Sequence, residues 1–135
     1  MNIEAFIDYI ISEYEMAHSD KNDIDIDHFW KEVMSYFSED MLGSPVNKKS
    51  AARILYAFSR IVLKLPNLDW IRAKKLRDIY ECRVCAEAIA QMYERGIIDG
   101  VGPCIFGIND TMKAEELRMA VDKIVQINTN IIWSL

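Results

Sequence analysis

The chain has 135 residues, a formal net charge of −5 and a sequence pI near 5.0. That length closes one core without disulfide or metal staples, and its apolar and charged fractions are those of an ordinary globular domain. No apolar run approaches the roughly 20 residues of a membrane span, and the acidic start MNIEAFIDYIISEYE lacks the basic flank and unbroken apolar run of a signal peptide. Composition therefore predicts a soluble, cytoplasmic chain with no membrane partner.

Charge is unevenly laid out. Residues 1–46 carry two Lys/Arg against eleven Asp/Glu, residues 47–77 carry nine against Asp69 alone, and residues 78–135 carry five against nine. The chain divides into acidic N-terminal helices (1–42), a basic middle (43–80) and a helix–loop–helix (81–127), all within one all-α domain.

Taken in order, Ile3, Phe6, Ile7, Ile10, Ile11 and Tyr14 fall on one side of a helix over 3–16. The polar run His18 to Asp23 ends it. Asp23, Asp25 and Asp27 alternate as in a calcium loop, but the glycine and glutamate positions of such a loop hold His28 and Met34, so no calcium site is expected. Asp25 or Asp27 is placed to cap a second helix over 27–40, which buries Trp30, Val33, Met34 and Phe37. Gly43-Ser44-Pro45 breaks the chain, and Asn47 caps a third helix over 48–64 with Ala51, Ile54, Leu55, Phe58, Ile61 and Val62 inward. Pro66 stops it. Asn67 to Trp70 then opens a short basic helix carrying Arg72, Lys74, Lys75 and Arg77, which leads into a long helix over 81–95.

In that long helix Ile89, Met92 and Tyr93 share a face, and Gly96 stands where a left-handed residue ends a helix. A loop from Asp99 to Asp110 follows. Asp110 or Thr111 caps a last helix with Leu117, Val121, Ile124 and Val125 inward; Asn128 to Asn130 loosens the chain, and Ile131-Ile132-Trp133 docks or meets another molecule.

The sequence offers little chemistry. Cys82-x-x-Cys85 with Cys104 supplies three ligands where zinc wants four, and the pair falls inside the long helix, so the cysteines read as core residues. Their odd number argues against a complete internal disulfide framework. Neither His18 nor His28 accompanies a nucleophile motif, Gly100-Val101-Gly102 is no nucleotide fingerprint, and Glu115-Glu116 sit in a first helical turn where the macrodipole favours acids. The residues thus predict no enzyme, no cofactor and no metal. Lys48, Lys49, Arg53, Arg60, Lys64, Arg72, Lys74, Lys75 and Arg77 raise a nucleic-acid surface as an alternative, weighed against a solvated face that pairs with the acidic helices.

Residues 86–125 carry Ala86, Ala88, Ile89, Met92, Tyr93, Glu94, Gly96, Ile97, Ile98, Gly100, Phe106, Asn109, Asp110, Met112 and Glu116 in an order that resembles an S-layer homology repeat. Residues 46–51 stand where 112–117 stand in the later unit, which suggests two degenerate copies, the first with a shortened loop; paired copies bury faces that one alone would expose. The resemblance implies helix–loop–helix units. It also implies, as an alternative function, binding of an anionic cell-wall polysaccharide by the arginine of a T-R-A-E motif. This chain has Lys48 at that position in one copy and Ala114 in the other.

The leading expectation is an all-α domain of about six helices acting as a non-enzymatic binding protein for a basic protein partner, as an adaptor, inhibitor or immunity-type protein does. The expected contact residues are Glu13, Glu15, Asp20, Asp23 and Asp25 on the acidic helices, and Gly100, Gly102 and Phe106 in the loop. The alternative anionic-ligand face comprises Lys48, Lys49, Arg72, Lys74 and Lys75.

Overall fold

The computed structural model describes residues 1–17 and 23–133, with side chains described for 1–17 and 24–127. His18, Asp20 and the side chains of Asp23 and of Ile131 to Trp133, named above, lie outside the described residues.

Asn2 opens α1 (Ile3–Ala17). Its Oδ1 accepts from the Ala5 backbone N–H at 2.8 Å, filling one of the donors that a helix start leaves bare. Ile3, Phe6, Ile7, Ile10 and Tyr14 are buried, so the apolar stripe read from the sequence is the packed face. Helix α2 (Asp23–Met34) starts and stops earlier than the pattern over 27–40 predicts. Phe29 and Val33, one turn apart, are fully buried with Ile26 and Met34 packed at the edges. Trp30 lies about 100° round the helix from Phe29 and is 43% exposed, which corrects its expected place in the core.

Helix α3 (Lys48–Ile61) is the centre of the core. The Asn47 side chain caps it, accepting from Ser50 N–H at 2.9 Å as predicted. Ala51, Ile54, Leu55 and Phe58 are fully buried, with α2 and α4 packed on either side. The rings of Tyr14 and Phe29 each meet Phe58 edge-on at 5.4 Å between centroids.

From Pro66 to Cys85 the chain forms no α-helix. The expected short basic helix is replaced by 3-10 turns at Ala73–Lys75, Ile79–Glu81 and Arg83–Cys85. Side chains of α4 (Ala86–Glu94) take up part of this connector's backbone, which bonds to itself only in short turns such as Lys75 N–H to Arg72 C=O. Gln91, 1% exposed, accepts from Leu68 N–H at 2.8 Å and donates to Leu68 C=O at 2.9 Å. One turn to either side, Glu87 accepts from the Trp70 indole N–H at 2.5 Å, and Glu94 accepts from the N–H groups of Arg72 and Ala73 at 2.6 and 2.8 Å. Gln91→Ala would remove both bonds that tie Leu68 to α4 and is expected to cost about 1–2 kcal/mol of unfolding free energy, read as a lower urea midpoint with an unchanged slope.

Helix α4 is also shorter than the 81–95 expected. Cys82 and Cys85 form a disulfide ahead of it, so the pair lies in the turns rather than within a helix, while Cys104 stays a free thiol. At its other end Gly96 takes φ 72, with Gly96 N–H donating to Tyr93 C=O and Ile97 N–H to Met92 C=O. That is the left-handed exit the sequence signals.

Helix α5 (Ala114–Trp133) continues through Asn128 to Asn130, where the sequence predicted loosening. Neither Asp110 nor Thr111 caps it. Glu116 reaches back to the Lys113 N–H at 3.0 Å, while Asp110 to Met112 run antiparallel to Val46 to Lys48 through Lys48 N–H to Asp110 C=O and Met112 N–H to Val46 C=O, each 2.9 Å. The two helix starts that the resemblance sets equivalent thus lie side by side. Helix α5 closes the core against α1 and α3. The fold is all-α, with five helices in place of about six, and only isolated bridges, no strands, among the described residues. No described helix is long and apolar enough to cross a membrane.

Candidate functional site

Two of the recesses among the described residues hold residues named from the sequence or lie beside them. The first is a groove between α1 and α2 of about 260 Å³, lined by Glu4, Ile7, Asp8, Trp30 and Met34. Ile7 belongs to the buried stripe of α1 and supplies an apolar floor; Met34 is half-buried and Trp30 stands half-exposed at the edge. Glu4 and Asp8 are one turn apart, exposed, and on the same side of α1. Backbone bonds from Ile3 N–H to Ser44 C=O and from Glu4 N–H to Leu42 C=O, both 3.1 Å, fix the start of α1. The groove therefore has one wall anchored at its start, an aromatic edge and a negative rim.

The acids of the groove are not those expected from the sequence. Glu13 is half-buried and bonds to Tyr9, Glu15 is exposed further along α1, and Asp25 pairs with Lys64 at 3.0 Å. None of the three lines the groove.

The second recess, about 400 Å³, lies beside the 99–110 loop and is lined in part by Lys48, Asp99, Gly100, Asp110, Glu116 and Lys123. Two buried charges shape it. Asp78 receives the backbone N–H groups of Phe106, Gly107 and Ile108 at 2.9, 2.8 and 3.3 Å. Burial alone would raise its carboxyl, yet those donors outweigh burial and hold it below the usual carboxylate range. From the other side the Lys48 ammonium donates to the C=O groups of Asp99 and Phe106 at 2.6 and 2.8 Å and lies 5.0 Å from the Phe106 ring centroid. Burial pushes Lys48 below the usual lysine range, against the upward pull of Asp110, Glu116, Asp99 and Asp78.

This geometry buries Phe106 and most of Lys48, while Gly100 lines the recess. Phe106 is fully buried, edge-on to Tyr93, because Asp78 draws its backbone inward. Gly100 serves the loop itself: a Cβ there would sit 2.6 Å from the Ile105 carbonyl oxygen. Lys48, only 7% exposed, spends its charge on backbone carbonyls and has no bidentate fork for an outside anion.

The basic block is likewise dispersed. Arg53, Arg60 and Arg72 lie over the rings of Tyr36, Tyr56 and Tyr93, and Lys64 pairs with Asp25. Lys49, Arg72, Lys74 and Lys75 do not line the recess that holds Lys48. Sequence reasoning missed Asp78, Gln91 and the exposure of Trp30. Among the described residues no cluster of His, Cys, Asp and Glu is arranged to hold a metal ion. No protein-family model, curated protein or solved structure matches the chain.

Proposed function

We propose that this chain is a non-enzymatic binding protein whose α1–α2 groove seats a basic segment of another protein. The observation that carries the reading is Trp30, half-exposed at the edge of an apolar floor between α1 and α2, with Glu4 and Asp8 lining the same groove. Tryptophan at the edge of a desolvated pocket is the residue type that most often dominates a protein interface. The two carboxylates supply steering and register for a partner bearing lysine or arginine next to an apolar anchor. The S-layer homology likeness supports the helix–loop–helix scaffold in this reading, while the inward turn of Lys48 favours a protein ligand over an anionic glycan.

Titration calorimetry with peptides that place one Leu, Ile or Phe between lysines tests this directly. Binding is expected at low salt, weakened by salt as exposed ion pairs are screened, and lowered at least about ten-fold by Trp30→Ala. Equal binding by wild type and Trp30→Ala would end the reading.

A further inference from the structure

The molecule carries a knob that matches its own groove. Between Leu68 and Leu76 the connector is pinned to α4 by Gln91, Glu87 and Glu94, and yet Ile71 is 68% exposed. Lys74 and Lys75 follow it at three and four residues, both exposed, and among the described residues neither makes an ion pair. An isoleucine held on hydrogen-bonded backbone, with two exposed ammonium groups one turn further on, loses little conformational freedom on docking. It presents what the α1–α2 groove lacks: an apolar side chain followed by positive charge for Glu4 and Asp8.

The chain does not satisfy this match internally. The connector packs on α4, whereas the groove lies between α1 and α2, and the one described ion pair between the basic middle and the acidic arm, Lys64 with Asp25, leaves both knob and groove unused. We propose that the Ile71–Lys75 knob docks in the α1–α2 groove of a second copy, giving head-to-tail association. A dimer formed this way keeps one open groove on one protomer and one free knob on the other, so the contact is heterologous and grows into chains or closed rings rather than stopping at a symmetric dimer. The inference rests on the groove being a binding site for basic segments, and it names the occupant.

Sedimentation velocity tests it, on a Cys104→Ser background so that intermolecular disulfides cannot imitate docking. At roughly 20 mM salt the average mass is expected to rise above 15.7 kDa with concentration and to return to the monomer near 500 mM. Trp30→Ala, which lacks the groove's edge, and the Lys74→Glu/Lys75→Glu double variant, which lacks the knob's charge, should each stay monomeric. Mixed together they should form a 1:1 dimer that grows no further, because that pair holds a single intact groove and a single intact knob. Ile71→Asp should behave as the lysine variant does, and circular dichroism checks that all three remain folded. A wild type that stays monomeric at about 1 mM and low salt, a self-association indifferent to these substitutions, or a mixture that remains monomeric would overturn the proposal. Basic peptides that still bind in that case would leave the groove reading standing, whereas loss of both would remove it as well.

Discussion

Replacing Asp78 by asparagine is expected to cost about 3 kcal/mol of stability at neutral pH. The carboxylate takes three backbone N–H groups on consecutive residues 106–108, and it does so across 28 residues of sequence. Asparagine can accept with its one oxygen, but it turns an NH2 toward donors that have no other partner, and Phe106 N–H and Ile108 N–H are buried. The pH dependence separates this from a simple packing loss. Asp78 has a depressed folded-state carboxyl, so its contribution is fully present above the unfolded value near pH 4 and disappears as pH falls through the lower folded value. The gap in urea midpoint between wild type and Asp78→Asn should therefore be widest at pH 7 and close progressively below about pH 4. A gap of the same size at pH 7 and pH 2.5 would show that the three donors do not act through charge.

The parts of the fold legible in the sequence are those decided within a few residues. The stripe of α1, the Asn47 cap and the Gly96 exit each need only helical spacing and one local hydrogen bond, and each stands where the sequence put it. The connector and the start of α4 were not legible in that way. Leu68, Trp70, Arg72 and Ala73 are held by Gln91, Glu87 and Glu94, partners 17 to 23 residues away whose spacing on α4 looks like an ordinary solvated face. A Cys-x-x-Cys run is equally compatible with a helix and with the bridged turn that the chain adopts. Trp30 was placed inside because the 3.6-residue period leaves about a turn's ambiguity where Phe29, Trp30, Val33 and Met34 are all apolar. The groove follows from that ambiguity: α2 has more apolar residues than α3 can cover, and the surplus faces Ile7 of α1. Which acids of the N-terminal arm stand beside an apolar floor depends on how α1 and α2 lie against each other, which the local sequence around Glu4 and Asp8 does not encode.

Lys48 presents the opposite balance to Asp78, and two substitutions are expected to separate its terms. Its ammonium is held by two carbonyls yet remains below the usual lysine range, so its desolvation is not fully repaid. Lys48→Met keeps the aliphatic stem over Phe106 and removes the buried charge. It leaves the buried Phe106 carbonyl without its donor, while Asp99, an exposed residue, can turn to water. The net cost should be only about 1–2 kcal/mol. Lys48→Ala removes the stem as well, opening a hole beside a fully buried ring, and should cost about 3 kcal/mol. The ordering is the informative part: methionine milder than alanine means that the stem and its ring contact contribute beyond the charge, and equal losses would mean that the charge is the whole of it. Because Lys48 and Asp78 hold the two backbone groups of one residue, Phe106 C=O and Phe106 N–H, the loop is already loosened once either is lost. The double variant Lys48→Met/Asp78→Asn is therefore expected to fall short of the sum of the two single losses by about 1 kcal/mol. Full additivity in urea unfolding would show that the two buried charges stabilise the 99–110 loop independently, and that the recess beside it is not a single clamped unit.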